Sequence, residues 1–191
     1  MRKVSALIFS SLDGVMQSPA TNDEDPSNDF NAGGWAAPYW NDAMELALEH
    51  AMSEDFDLLL GRNTYEQFYN HFATQEELTA QKLNKSRKYL ITHQSGFIPM
   101  WANTTVINHD ILKTISTLKY KEGPLIQLHG SWKLLQYLWS NQLVDELRLI
   151  TFPVLIGSGK RLFEESDITT NFEIDAVHRN RNILFSKYIK K

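Results

Sequence analysis

The sequence predicts an α/β fold: one domain over residues 1–191, in which a mixed, mainly parallel sheet lies between two helical layers and ends in an antiparallel C-terminal hairpin. Three observations predict this fold. Buried apolar runs end in glycine turns that lead into helical patterns, and the C-terminal segment alternates like two paired strands. A chain of 191 residues, 42% hydrophobic and 22% charged, is also long enough for one core of this kind.

The N-terminal part begins with a strand and continues into a long loop. Val4 to Phe9 is a β-type apolar run, and the Asp13-Gly14 pair after it indicates a turn. Residues 18–38 are rich in Asn, Asp, Gly, Pro and Ala, so we interpret them as a lid-like loop over a pocket. Asn41 is a suitable N-cap for a helix that ends near Ser53.

Two later segments share the order strand, glycine turn, helix. Asp57 to Leu60 is closed by Gly61 before a helix start at Arg62, and Pro124 to Leu128 is followed by His129-Gly130-Ser131 and a helix. The other predicted elements are strands at 88–92 and 104–107, a helix at 111–118, a half-buried strand at 145–153, and a hairpin of 172–178 and 182–189 around 179–181.

Composition excludes several classes of function. A net charge of −4 argues against nucleic-acid binding, and the absence of cysteine excludes disulfides, thiolate metal sites and a zinc deaminase half. The six histidines lack metal-ligand spacing, so we predict no metal. No apolar stretch approaches the roughly 20 residues of a membrane span, so we expect a cytoplasmic protein with neither membrane nor nucleic acid as partner.

The two glycine turns are the strongest chemical signal. Ligands of open α/β sheets bind at the carboxyl ends of strands, where the N–H groups of a helix start attract phosphate. Gly61 and Gly130 would let the backbone approach a pyrophosphate, while Thr64 and Ser131 would donate hydroxyl hydrogen bonds to it. The forked guanidinium of Arg62 suits a 2′-phosphate and therefore favours NADPH over NADH.

A plainer interpretation is equally open from spacing alone: the glycines only make tight turns, and Arg62 is a solvated residue at a helix start. Neither G-x-G-x-x-G nor G-x-x-x-x-G-K-[ST] is present, which argues against a Rossmann dehydrogenase and a P-loop NTPase.

An ordered set of motifs resembles a known family across almost the whole chain. The family is the dihydrofolate-reductase-like one that includes the C-terminal reductase domain of the bifunctional riboflavin-biosynthesis deaminase-reductase, and this chain resembles its stand-alone branch. The motifs are Ser11-Leu12-Asp13-Gly14, Glu24-Asp25-Pro26, Gly33-Gly34-Trp35, the segment from Leu59 to Glu66, His129-Gly130-Ser131, Leu143 to Leu147, and Phe152 to Phe163.

The resemblance implies an NADPH site and a homodimer. By this analogy Gly61, Arg62 and Thr64 hold the adenine-side phosphates, and Thr92 and His93 flank the 2′-phosphate. The pyrophosphate would lie on Gly130, Ser131 and Trp132. Classical dihydrofolate reductases have a Gly-Gly pair in the second turn, and His129 takes the first of those places here.

Substrate-side residues are expected in the loop after the first strand and in the following helix. Asp13 is the candidate for proton relay or substrate hydrogen bonding, with formation of the Asp-Gly turn as its alternative. Asp42 lies where folate enzymes keep a pterin-binding carboxylate, although a solvated residue on the helix face is the favoured alternative. Trp35 is an aromatic for stacking on a flat heterocycle, or for packing the loop. Gly157 to Arg161 would bind a substrate phosphate, only link two strands, or contribute to a dimer face.

The predicted function is therefore an NADPH-dependent oxidoreductase. Its hydride acceptor is expected to be a small nitrogen heterocycle or a ribosyl-phosphate derivative, and the nearest named reaction is reduction of 5-amino-6-(5-phosphoribosylamino)uracil in riboflavin biosynthesis. The alternatives are a reductase for dihydrofolate, another pterin or a carbonyl compound, and a nucleotide-binding module without turnover.

Overall fold

The computed structural model describes residues 1–164 and 169–191. Its strands are β1 (Val4–Ser10), β2 (Phe56–Gly61), β3 (Lys88–Ile91), β4 (Thr104–Ile107), β5 (Leu125–Gly130), β6 (Glu146–Thr151), β7 (Phe172–Asn180) and β8 (Ile183–Lys190). Its α-helices are α1 (Asp42–Ala51), α2 (Arg62–Phe72), α3 (Leu78–Lys85), α4 (Ile111–Tyr120) and α5 (Trp132–Ser140). The strand order is β4-β3-β2-β5-β1-β6-β8-β7.

The described chain forms two compact units, and β1 contributes to both. The first unit comprises Met1–Ala6 and Glu54–Asp145, and the second comprises Leu7–Ser53 and Glu146–Lys191.

The first unit is a parallel sheet with four of the helices. Strands β4, β3, β2 and β5 and the start of β1 all pair in parallel. Every residue of β2 and of β3 is buried, because neighbouring strands occupy both of their edges and helices pack on the sheet: α2 on both strands and α5 on β2. Parallel pairing brings the carboxyl ends of β2, β3 and β5 to the same edge of this sheet, which is where the candidate phosphate turns follow.

The second unit is built on antiparallel pairing. β6 pairs with β8, and β8 with β7, in antiparallel register. Helix α1 begins at the predicted N-cap Asn41, whose side-chain oxygen accepts a hydrogen bond from the N–H of Ala43 at 2.9 Å. The guanidinium of Arg148 on β6 donates to Glu146 at 2.6 Å and to the carbonyl of Ala51 at 2.7 Å, so β6 is tied to the end of α1.

The predicted mixed sheet and antiparallel hairpin are confirmed, while one local prediction needs correction. The strand at 145–153 is not half-buried: Glu146 and Arg148 are each 1% exposed, because an ion pair lets both faces be covered. Helix α3 was not predicted. The loop at 18–38 contains two short 3₁₀ helices, Ser27–Asp29 and Ala37–Tyr39. None of the described helices combines the length and apolar character needed to cross a membrane.

Candidate active site

The two predicted phosphate turns are in direct contact in the first unit. Leu60 of β2 lies opposite Gly130 of β5, so the chain leaves both strands at the same height. A Cβ atom built on Gly61 would lie 2.3 Å from Oγ of Ser131, and one built on Gly130 would lie 2.8 Å from Oγ1 of Thr64. At each position the hydroxyl side chain of the other turn leaves no room for a Cβ atom, so only glycine fits. The four residues therefore pack together as one group.

The helix starts that follow these turns have no side-chain caps. The N-cap of α2 is Gly61, which has no side chain, and the hydroxyl of Ser131, the N-cap of α5, accepts no hydrogen bond from the first helical turn. Gly130 has a φ of +142°, a conformation that favours glycine, and the peptide bond between Gly130 and Ser131 is cis. Two neighbouring helix N-termini without caps are suited to the negative charge of a pyrophosphate.

Helix α2 begins with a cation, and the end of β3 adds polar groups beside it. The guanidinium of Arg62 donates to Oε1 of Gln94 at 2.7 Å and lies 3.9 Å from the carboxylate of Glu66. Its side chain is 44% exposed, so it remains accessible to an anion. Thr92 is buried and its hydroxyl accepts from the N–H of Gln94 at 3.2 Å, whereas His93 is exposed.

His129, which occupies the first place of the second turn, is held by its neighbours. Its Nε2 lies 2.9 Å from Oε1 of Gln127 on the same strand. Its ring has an edge contact with Phe68, at 5.6 Å between centroids, and a tilted contact with Phe56 at 6.3 Å. The imidazole thus packs against Phe56 of β2 and Phe68 of α2.

Asp13, in the second unit, forms hydrogen bonds with a loop that is distant in sequence. Its Oδ1 accepts from the hydroxyl of Ser11 at 2.7 Å and from the N–H of Ile156 at 3.1 Å, and its Oδ2 accepts from the N–H of Gly157 at 2.8 Å. Arg161 lies 3.4 Å from the same carboxylate. These hydrogen bonds, first that from Ser11, hold the pKa of Asp13 well below its ordinary value, so the group is an anion at neutral pH.

The predicted phosphate segment 157–161 has its cations engaged within the second unit. The ammonium group of Lys160 donates to the carboxylate of Asp25 and, at 2.7 Å, to the hydroxyl of Ser27. The guanidinium of Arg161 donates to the carbonyls of Asp13 and Gly157. Both cations therefore bind residues between Asp13 and Ser27. These contacts favour the linking role of the segment over phosphate binding.

The two predicted substrate-side residues differ in their exposure. The indole N–H of Trp35 donates to the carbonyl of Gln17 at 2.8 Å, and its ring packs edge-on against Phe152 at 5.5 Å. With 7% of its surface exposed, Trp35 packs the loop, as the alternative interpretation held. Asp42 is exposed at the first position of α1, near the positive end of the helix dipole.

Sequence reasoning missed two glutamines, Gln94 and Gln17, whose side chains position neighbouring residues. Gln94 has no motif around it and is found only because parallel pairing brings the end of β3 to Arg62. Gln17 was equally hidden: its amide donates to the carbonyls of Asp25 and Ser27 at 2.8 and 2.9 Å, inside an irregular loop. Within the described residues, no three His, Asp or Glu side chains form a group that could hold a metal ion.

The chain matches a family model over nearly its whole length. The model, described as the RibD C-terminal domain, matches residues 2–182. The protein YyaP of Bacillus subtilis (strain 168) is 30% identical over 111 residues, which are 56% of this chain and 58% of that protein. The aligned part therefore spans little more than half of this curated relative.

Solved structures of low sequence identity have the same fold. A riboflavin biosynthesis protein from Shewanella sp. PV-4 superposes with a TM-score of 0.66 at 16% identity, covering 99% of each chain. Dihydrofolate reductase from Enterococcus faecalis, solved with NADP(H) and RAB-propyl, superposes with a TM-score of 0.60 at 14% identity, covering 99% of this chain and 96% of that one. The predicted dihydrofolate-reductase-like fold and the family resemblance are both confirmed.

Proposed function

The chain belongs to the RibD C-terminal domain family, and from this membership we propose that it is an NADPH-dependent reductase that transfers hydride to a small nitrogen heterocycle or its ribosyl-phosphate derivative. Family and fold support a reductase of the riboflavin-pathway type. The nearest named reaction is reduction of 5-amino-6-(5-phosphoribosylamino)uracil.

One observation supports the proposal most directly: Gly61 and Gly130 face the hydroxyl residues of each other's turn, at distances that leave no space for a Cβ atom. Such a close backbone pair beside two helix N-termini without side-chain caps fits a diphosphate, which needs N–H donors and room to approach them. The residue types present therefore fit a dinucleotide.

The residues of the first unit have distinct roles toward NADPH. Gly61, Thr64, Gly130, Ser131 and Trp132 would hold the phosphates that link its two nucleosides. Arg62 would bind the 2′-phosphate, because a guanidinium forms charge-assisted hydrogen bonds with phosphate oxygens. Thr92 and His93 would flank that phosphate at the end of β3. When bound, NADPH supplies the hydride.

Asp13 would act as an ionised group. Its lowered pKa leaves no resident proton at neutral pH, so it would accept a hydrogen bond from the substrate or relay a proton that it first takes up. Its hydrogen bonds with Ile156 and Gly157 would at the same time fix the loop around the substrate-side residues. Asp42, exposed at the start of α1, would accept from amino groups of the heterocycle.

The homodimer and the cytoplasmic location also remain proposals. The first rests on the family resemblance, and the edge of β7 is the surface that would pair. The second rests on membership in a family of metabolic reductases.

The test is a calorimetric titration of the protein with NADPH and NADH, followed by NADPH oxidation assays. We expect NADPH to bind more tightly, and the ribosylaminopyrimidine to be reduced faster than dihydrofolate. The Lys121→Ala variant, which removes an exposed cation of the same unit, should bind NADPH like the wild type. Heat from neither coenzyme would refute the proposal. Binding without consumption of NADPH for any substrate would instead favour a nucleotide-binding module.

A further inference from the structure

We infer that Trp40 forms a stacking platform for the ring of the substrate. This inference rests on the proposed function, since it names a substrate-binding residue of that reductase. Trp40 lies between the second 3₁₀ turn of the 18–38 loop and the N-cap Asn41, so it stands just ahead of helix α1.

Trp40 differs from the other tryptophans in its exposure. All five tryptophans of the chain lie in described regions. Trp35 and Trp101 are buried, Trp132 and Trp139 are partly buried, and Trp40 is 46% exposed. Covering this exposed indole surface with a bound ring would remove apolar area from water, which is favourable.

The indole N–H of Trp40 is also available. The buried indoles of Trp35 and Trp101 donate to Gln17 and Asn84, at 2.8 and 2.7 Å. Within residues 1–164 and 169–191, the structure gives the Trp40 indole no acceptor, and its only hydrogen bond is from its backbone N–H to Ala37. A half-exposed tryptophan with an open donor can bind a flat ring and a carbonyl oxygen together.

The Trp40 ring is held in place by a buried aromatic cluster. Its edge contacts Phe9 near the end of β1, at 6.1 Å between centroids and an interplanar angle of 60°. Phe9 in turn contacts Phe152, which is fully buried and follows β6. Phe152 also has edge contacts with Trp35 and Tyr39, each at 5.5 Å. Because Phe152 is surrounded by three rings, the exposed ring stands on a rigid base.

This base lies at the carboxyl ends of two strands that run in the same direction. The N–H of Asp145 donates to Val4 at 2.9 Å and that of Phe152 to Ser10 at 2.9 Å, so β1 and β6 advance together along the sheet. Ligands of α/β sheets bind at this end of their strands. The position of Trp40 therefore agrees with a binding role, whereas a ring that only packed the loop would be buried like Trp35.

The chemistry of the Trp40 indole fits the proposed substrate. A planar ring would stack on its exposed part, and a ring carbonyl would accept a hydrogen bond from its N–H. Pyrimidinediones and pterins provide both features, whereas aliphatic aldehydes and ketones provide no flat face. Asp42, two residues further on and also exposed, offers a carboxylate for amino groups of such a ring.

The test is a calorimetric titration of the full-length protein with 5,6-diaminouracil, which contains the ring without the ribosyl phosphate and requires no turnover. We expect Trp40→Ala to weaken binding about tenfold and Trp40→Phe, which keeps a ring but loses the N–H, about threefold. The control is Leu184→Ala, which shortens an exposed apolar side chain of the same unit and should bind like the wild type. The affinity for NADPH should be unchanged in all three.

The outcomes separate this inference from the proposed function. Wild-type affinity for 5,6-diaminouracil in Trp40→Ala, or no binding of it by the wild-type protein, would overturn the inference even if NADPH binds and is consumed. Failure of NADPH to bind the wild-type protein would instead refute the proposed function, while a loss of 5,6-diaminouracil affinity in Trp40→Ala would still support the platform. Circular dichroism establishes that each variant is folded, and Trp40→Phe provides the test if Trp40→Ala is not.

Discussion

Gly61 lies so close to Ser131 that a side chain at position 61 would collide with the next turn: its Cβ would stand 2.3 Å from Oγ and 3.0 Å from the backbone nitrogen of Ser131. The two residues are 70 positions apart in sequence, and the parallel pairing of β2 with β5 brings them together. The turn at Gly61 and the turn at Ser131 are therefore in contact, so a substitution that displaces one turn should also displace the other.

Gly61→Ala should lower both stability and coenzyme affinity. The contact at 2.3 Å is with a hydroxyl that can rotate away, but the two contacts at 3.0 Å include backbone that has to move. We expect a loss of about 1 to 3 kcal/mol in the free energy of unfolding and at least tenfold weaker NADPH binding, measured by denaturant titration and calorimetry. Adding Ser131→Ala should recover part of the stability. Unchanged NADPH affinity in Gly61→Ala would show that the turns do not bind the coenzyme.

Arg62→Ala should change the preference between coenzymes. Its exposed guanidinium, positioned by Gln94, would lose charge-assisted hydrogen bonds with a 2′-phosphate. We expect NADPH binding to weaken by roughly 1 to 3 kcal/mol, with little effect on NADH. Gln94→Leu should produce a smaller loss, since the cation would remain without its positioning contact. Equal losses for the two coenzymes in calorimetry would contradict a 2′-phosphate role.

Asp13→Asn should lower turnover and leave NADPH affinity largely intact. An amide keeps only one acceptor atom, so either Ile156 or Gly157 loses its hydrogen bond, and the charge next to Arg161 disappears. Stability should also respond to pH. The folded-state pKa of Asp13 lies below its ordinary value of 3.8, so its contribution is complete above that pH and is lost as the pH falls further.

Acid titration of unfolding free energy should therefore show a steeper decline in the wild type than in Asp13→Asn. The control is Asp55→Asn, which removes an exposed carboxylate of the other unit and should keep the wild-type slope. Normal turnover in Asp13→Asn would remove Asp13 from the mechanism and leave it as the residue that shapes the turn.

The strands and their glycine turns could be predicted because their signals are local. A run such as Leu58-Leu59-Leu60 excludes water on both faces, and the glycine after it marks the point where the chain turns. Helix α3 lacked such a signal: within Leu78–Lys85 only Ala80 and Leu83 are buried, too few apolar positions to outline a helical face. Propensity alone did not distinguish this segment from a polar loop.

The candidate site was predictable only in part, because its contacts are long-range. Residue types and a resemblance pointed to Arg62 and Asp13, but no pattern indicated that Asp13 would bind Ile156 and Gly157, more than 140 positions away. The environment of an aromatic is equally a property of the fold. Trp35 and Trp40 lie five residues apart in one loop, and only packing against Phe152 and Phe9 determines which is buried.

If the protein is a homodimer, the edge of β7 is the surface that we expect to pair. β7 is the last of the described strands in the sheet order, and Ile174 and Val177 are 62% and 52% exposed on it. Antiparallel pairing of two copies about Ala176 would place Glu173 opposite Arg179 of the other copy, which makes the edge self-complementary in charge.

Charge exchange tests this dimer. Glu173→Arg should favour the monomer in light scattering after size exclusion, because two guanidinium groups would then face each other. Combining it with Arg179→Glu should restore the dimer, since the pair is then only reversed. A monomeric wild-type protein, or a double variant that stays monomeric, would contradict pairing through β7.

Because of Lys88, the protein should become more stable as the pH rises from about 8 to 10.5. Its side chain is fully buried, donates to the carbonyls of Asn84 and Ser86 at 2.9 and 2.8 Å, and lies 4.4 Å from the ring of Trp101. Burial lowers its pKa from 10.5 to about 8. Between these two values the unfolded chain binds more protons than the folded one, so the free energy of unfolding should increase with pH, by about 3 kcal/mol in total.

Denaturant titrations between pH 8 and 10.5 test this prediction. Lys88→Met should remove the increase, whereas Lys85→Met, which replaces an exposed lysine at the end of α3, should retain it. An identical pH dependence in wild type and Lys88→Met would show that Lys88 keeps its proton on folding.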